Sequence, residues 1–280
     1  MSKTLGWNRA RLFQKTNPYP EQVMLFWVRV FLLLRIQALI ISPPHSIPIF
    51  MKRSTAMKIQ FENGAFDAQA PVTVYDAAKE AGVLTRDVIA AEINGKACDL
   101  TTLLDADADV KLLTFDDEAG KHVFWHTAAH ILAQAVKRLY PDVKLTIGPA
   151  IERGFYYDFD SEEPFTADTL VALEGEMKKI VKENIRLERF TLPREEAISL
   201  MQERNEPYKV QLIEELPEGE TISFYKQGDF TDLCAGPHLF ATGLVKAFKL
   251  TSCTGAYWKG DQNNKMLKRI YGVAFPKRIS

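Results

Sequence analysis

The chain has 280 residues, of which 46% are apolar, 25% charged and 11% aromatic, with only 15 Gly and 14 Pro. This composition excludes collagen-like, low-complexity and wholly disordered chains, and the length predicts two domains plus an appendage. The formal charge of -1 averages unlike parts: residues 1–56 hold eight Lys/Arg against Glu21 alone, a surplus of +7, so the remaining 224 residues carry -8. Three cysteines, Cys98, Cys234 and Cys253, are too few and too scattered for a disulfide scaffold, which predicts a reducing, cytoplasmic setting.

Within the basic leader, twelve of the eighteen residues Met24–Ile41 are Leu, Ile, Phe or Val, but Arg29 and Arg35 interrupt them. On an insertion scale the apolar residues contribute about -3.6 to -7.2 kcal/mol and the two arginines cost about 5 to 7 kcal/mol, so hydropathy alone leaves the balance near zero. Pro43, Pro44 and Pro48 then prevent continuation of a helix. A transit sequence or weak anchor is compatible with this pattern. The expectation adopted is a leader outside the folded part, either disordered or a misassigned start upstream of Met57, and no membrane partner.

From Met57 the pattern becomes orderly. MKIQF reads as a strand, Asn63-Gly64 as a hairpin signal and Ala65–Ala70 as the return strand. In VTVYDAAKEAG, Thr73 caps a helix that Gly82 stops, with Val74, Ala77, Ala78 and Ala81 on one side. VIAAEING, LTTLL and VKLLTF supply further strands, and a hairpin, a helix and more strands in about 60 residues predict a β-grasp, or ubiquitin-like, module over 57–118. Cys98 is expected to pack as a small apolar residue.

In residues 119–280, FWHTAAHILAQAVKRLYP has the spacing of an amphipathic helix stopped by Pro141. His126 and His130 lie four apart on it and share a face, so both imidazoles can converge on one metal, water or substrate. A lone HxxxH is weak, but Cys234 and His238 in TDLCAGPH repeat the spacing about a hundred residues later, and only five histidines exist in the chain. Two such pairs imply one assembled site. Phe155, Tyr157 and Phe159 alternate with Tyr156, Asp158 and Asp160 as in a half-buried strand. Helices are expected over Thr166–Ile185, Pro193–Arg204 and Pro207–Leu216, a strand at TISFYKQ, and two strands joined by a turn in KAFKLTSCTGAYWKG. The domain is α+β.

These segments carry a specific resemblance. AAEINGKACDLTTLLDADADVKLLTF is similar to a TGS domain, the small module of threonyl-tRNA synthetases and some GTPases. HTAAHILAQAVKRLYP, IGPAIERGFYYDFD, NEPYKVQLIEEL, FTDLCAGPH and GAYWKGDQNNKMLKRIYGVAFPK resemble the amino-terminal half of a bacterial-type threonyl-tRNA synthetase, over about Met57 to Lys277. The resemblance implies residues 1–56 as a non-family leader, 57–118 as a TGS domain and 119–280 as a two-layer α+β tRNA-editing domain, the second additional domain of the threonyl/alanyl type. Because no class II motif follows, it also implies that this chain is a fragment lacking the aminoacylation core, to which ATP and a zinc would belong.

Threonine and serine differ by one methyl, which yields only about 1–3 kcal/mol of discrimination, so the family adds a hydrolytic sieve for serine esterified to the tRNA for threonine. By resemblance His126, His130, Cys234 and His238 form the pocket, Lys209 and Asp232 add polar groups, and Tyr156 or Tyr157 lines the wall. A histidine or Lys209, titrating near neutrality, would activate water, with Lys209 also stabilising the oxyanion. Asp232 would hold the substrate's α-ammonium and Cys234 would pack. Editing would need no cofactor. The competing expectation is zinc held by His126, His130, Cys234 and His238, as related alanyl-tRNA synthetase editing domains hold it. Two other functions compete: a freestanding deacylase acting in trans, and a non-catalytic tRNA-binding or regulatory module. The basic run Lys259–Arg278 is either a tRNA contact or a solvated face.

Overall fold

The computed structural model describes residues 56–277; the predicted leader, with its apolar stretch Met24–Ile41, lies outside the described residues. No helix among them is long and apolar enough to cross a membrane.

The described residues belong to one compact unit, Ser54–Ser280. Its first part runs β1 (Met57–Phe61), β2 (Gly64–Ala68), β3 (Val72–Thr73), α1 (Val74–Glu80), β4 (Ala90–Ile93), β5 (Lys96–Cys98), β6 (Leu103–Leu104) and β7 (Ala108–Leu113). The sheet order is β2-β1-β7-β4-β5, with β1 and β7 parallel at its centre. The Thr73 side chain caps α1 by accepting from the Asp76 N–H. The hairpin turn centres on Glu62-Asn63 rather than Asn63-Gly64: Gly64 already pairs with Phe61, and a Cβ there would meet Val83 Cγ1 at 2.9 Å. Asn94 and Gly95, with φ of 52° and 77°, close a second hairpin between β4 and β5. Ile59, Phe61, Val74, Ala77, Leu100 and Val110 form the core between α1 and the sheet.

The larger part continues with α2 (Glu118–Leu139), β8 (Lys144–Leu145), β9 (Ala150–Ile151), β10 (Gly154–Asp160), α3 (Ala167–Glu183), β11 (Leu187–Thr191), α4 (Arg194–Glu203), α5 (Pro207–Glu215), β12 (Ser223–Gln227), β13 (Phe230–Leu233), β14 (Ala247–Tyr257) and β15 (Met266–Phe275). One sheet has the order β14-β15-β10-β8, and β11-β12-β13 form another. Helix α2 is buried on more sides than its amphipathic spacing suggested: every residue from Thr127 to Val136 is buried, the polar Thr127, His130 and Gln134 included. It packs on β10 and β15 on one side and α3 on another, and its core takes in Ile89, Ala90 and Leu113 from the first part. Phe155, Tyr157 and Phe159 of β10 are fully buried as the alternation implied. Thr166 and Thr169 form a capping box on α3, which Asn184 ends in the left-handed conformation.

Within KAFKLTSCTGAYWKG a single strand runs from Ala247 to Tyr257, and the turn comes after it, at Trp258–Gly260. β14 pairs with β15 along its length, with one register slip between Leu250 and Ser252. In the basic run, Lys259 pairs with Glu215, Lys265 with Asp160 and Arg269 with Asp158, so half of its six cations are neutralised within the fold.

Candidate functional site

Helix α2 brings His126 and His130 to the strand β13 and the turn that follows it. Strand β13 supplies Asp232 and the turn supplies Cys234 and His238. The donor atoms of His126, His130, Cys234 and His238 all lie within 4.8 Å of one another. The thiol stands between two imidazoles, Cys234 Sγ being 3.3 Å from His126 Nε2 and 3.2 Å from His238 Nε2. The rings of His126 and His238 stack at 4.2 Å, and that of His130 is 4.1 Å from His238. Two pairs far apart in sequence therefore meet in one cluster.

The tautomer of His238 follows from its partner. Thr127 Oγ1 donates its single proton to the Val123 carbonyl and accepts from the Leu239 N–H, so at 3.1 Å it accepts from His238 Nδ1 as well. The Nε2 lone pair is left facing Cys234. Thr127 was invisible in the sequence because a helix-interior threonine carries no signal of what it will face.

Against this cluster lies a charged group. Lys209, from α5, places Nζ 2.6 Å from Asp232 Oδ1 and donates to the Tyr157 hydroxyl at 3.2 Å; that hydroxyl donates to Asp232 Oδ2 at 2.7 Å. His130 Nε2 is 3.7 Å from the same carboxylate oxygen. Gly148 makes room for the Tyr157 ring, because a Cβ would meet its Cδ2 at 2.0 Å. Tyr156 points to the opposite face of β10, where Arg269 lies 3.8 Å over its ring. Of the two tyrosines, only Tyr157 reaches the cluster, as the period of two along a strand requires.

Burial sets the charge states. Loss of solvation pushes His126 down to about 4 and His130 down to about 3, and His238 well below its ordinary value, although Asp232 pulls the first two upward. The imidazoles are therefore neutral acceptors at pH 7 rather than groups titrating near neutrality. Burial likewise pushes the Cys234 thiol up to about 12, which removes it as a nucleophile. For Asp232 burial acts upward, but Lys209, His130 and the Tyr157 hydroxyl outweigh it and hold the carboxyl below the usual range. Asp232 is 2% exposed and lies directly beside Lys209.

The cluster reaches solvent at His126, which lines a cleft of about 390 Å³ together with His122, Ala150, Gly236, Pro237 and Ala97 from the first part. A larger cleft of about 870 Å³, bordered by Tyr75, Thr102, Arg186 and Phe240, contains none of the clustered residues. His130 and His238 are 2% and 1% exposed. The four N and S donors fit zinc in type, and the Thr127 hydroxyl on Nδ1 already orients the His238 ring.

Residues 222–271 match the family described as the second additional domain of threonyl and alanyl tRNA synthetase. The chain is 59% identical over 222 residues to a threonine-tRNA ligase of Caldanaerobacter subterraneus subsp. tengcongensis, covering 79% of this chain and 33% of that one. It is 60% identical over 224 residues to that of Acetivibrio thermocellus, covering 79% and 35%. A threonine-tRNA ligase of Clostridium botulinum is 59% identical over 224 residues with the same coverage. The chain spans about a third of the length of the curated relatives it matches. Over four fifths of its length, then, this protein is similar to threonine-tRNA ligases, and the strands and turn that carry Asp232, Cys234 and His238 match their second additional domain.

Proposed function

We propose that the chain hydrolyses serine from mischarged tRNA for threonine, as the editing part of a threonine-tRNA ligase, without itself carrying the aminoacylation chemistry. The observation that carries this reading is the convergence of His126, His130, Cys234 and His238 within 4.8 Å, one of them open to a cleft. Residues 57–118 are read as its TGS domain and 119–280 as its editing domain. The sheet order β2-β1-β7-β4-β5 with a central parallel pair and one packed helix supports a β-grasp for the former.

His126 is the imidazole that a substrate-bound water can reach, and being neutral it accepts a proton at pH 7. His238, with Nδ1 committed to Thr127, and the protonated Cys234 fix the His126 ring from behind. Lys209, 2.6 Å from Asp232 and bonded to the Tyr157 hydroxyl, lies behind the imidazoles and steadies the base of the site. Asp232 serves here by holding Lys209 and Tyr157, in place of an ammonium contact. A difference of one methyl needs only about 1–3 kcal/mol of discrimination to be useful as a second sieve.

The donor set also supports a metal reading: three of the four donors of His126, His130, Cys234 and His238 would hold zinc, which when bound would supply Lewis-acid polarisation of a water. Release of serine and of threonine from charged tRNA by the purified full chain tests the proposal. Serine-selective release, abolished in His126→Ala, is expected; release of neither amino acid would refute it. A chelator that leaves the rate unchanged would exclude the metal reading.

A further inference from the structure

Asp99, at the end of β5 in the first part of the fold, is 7% exposed and has no place in the cluster just described. Its carboxylate nevertheless reaches across to the turn that carries Cys234 and His238. Oδ1 accepts the His238 backbone N–H at 2.6 Å, and Oδ2 accepts the Tyr225 hydroxyl at 2.6 Å. Tyr225, on β12, lies directly beneath the turn. Its ring is 4.4 Å from that of His238, and its hydroxyl occupies the space a Cβ at Gly236 would need, 2.1 Å away. The same turn is anchored a second time two residues on: Phe240 packs into the core of the first part, edge-on to Tyr75.

The consequence is geometric. Beyond β13 backbone bonds hold only the two ends of the turn, Cys234 N–H donating to the Ser223 carbonyl and the Phe240 carbonyl accepting from the Leu187 N–H, and between them the His238 N–H would be an unpartnered buried donor without Asp99. Charge-assisted hydrogen bonds at 2.6 Å are short and directional, and this pair clamps the backbone and the tyrosine platform at once. Cys234 Sγ and His238 Nε2, which orient His126, are held at the distances given above only while the turn keeps its course.

Building on the deacylase reading, we infer that Asp99 is a positioning residue for the hydrolytic site, by which the first module fixes the Cys234–His238 turn through His238 N–H and Tyr225. The small module is then a wall of the site and not a detachable appendage.

The test uses the full chain with Asp99→Ala, Asp99→Asn and Tyr225→Phe, following kcat and KM for serine release, the thermal midpoint, and the rate at which iodoacetamide alkylates Cys234, read by peptide mass spectrometry. Misplacement of the turn in D99A is expected to lower kcat by about a hundredfold with KM held within about twofold. Asparagine retains an acceptor for His238 N–H, so D99N should recover most of the rate. Cys234 alkylation should rise about tenfold in D99A as the turn opens locally, and less in D99N. Wild-type kcat in D99A, even with a lowered thermal midpoint, would overturn the inference, as would a D99N as slow as D99A. Should D99A not fold, Y225F, which lacks one hydroxyl, decides instead: a several-fold lower kcat supports the inference and an unchanged one overturns it. Absence of serine release by the wild-type chain would fall on the deacylase reading alone, and Cys234 alkylation in the variants would still decide the role of Asp99.

Discussion

The imidazole-thiol cluster and the Lys209–Asp232–Tyr157 group touch each other, yet burial has opposite effects on them. The cluster responds to low polarity by becoming neutral: with three rings within about 5 Å, no partner compensates a proton on any of them well enough to offset desolvation. Lys209 and Asp232 instead form an ion pair at 2.6 Å bridged by the tyrosine hydroxyl, and these partners hold the Asp232 carboxyl below its usual range. A neutral imidazole keeps a lone pair free at pH 7, whereas a sealed ion pair suits positioning. Only the first group meets the cleft, through His126.

The comparison is broken most severely by removing one charge of the sealed pair. Asp232→Ala leaves a buried ammonium uncompensated, and a loss of about 3–5 kcal/mol in urea denaturation is expected, against a much smaller loss for a double replacement of Lys209 and Asp232 by apolar residues. His126→Ala should behave in the opposite way: serine release falls by at least about a hundredfold while the urea midpoint moves little, because its imidazole is at the rim and neutral. A drop in stability as large as that of Asp232→Ala would erase the distinction.

The pH dependence of folding sharpens it further. Since His126 and His130 stand at about 4 and about 3 in the native protein and near 6.5 when unfolded, the unfolded chain binds more protons below pH 6.5. Stability is thus complete above about 6.5 and declines as the pH falls toward 3. Replacing His126 by Gln should reduce that slope by up to about 1.4 kcal/mol per pH unit between 6.5 and 4, measured by denaturation at successive pH values. The smallest contrast concerns the two tyrosines. Tyr157→Phe removes the bridge between Lys209 and Asp232 and should slow hydrolysis about tenfold, whereas Tyr156→Phe, on the other face of β10, should stay within about twofold.

Much of this was legible in advance. The period of two in FYYDFD showed which aromatics were buried, Thr73 and Thr166 marked helix starts, and the repeated four-residue spacing of His126/His130 and Cys234/His238 announced a shared site. Local rules failed where distant chain supplied the surroundings. Helix α2 looked amphipathic because its polar residues, Thr127, His130 and Gln134, fall on one face; in the fold those residues are buried too, bonded to the 238–239 backbone and side chain or to Gln227, or set against Asp232. KAFKLTSCTGAYWKG read as two strands joined by a turn, but pairing with β15 keeps Ala247–Tyr257 in one long strand.

The sequence by itself determined the elements, the residue types at the site and their pairing by helical spacing, since these depend on neighbours a few residues apart. Only the tertiary structure decided which tyrosine faces the cluster, that Asp232 is committed to Lys209, that the histidines are neutral, and that Asp99 from another module steadies the turn. Each of these depends on solvent exclusion and on hydrogen bonds between residues 23 to 139 positions apart, which no local pattern encodes.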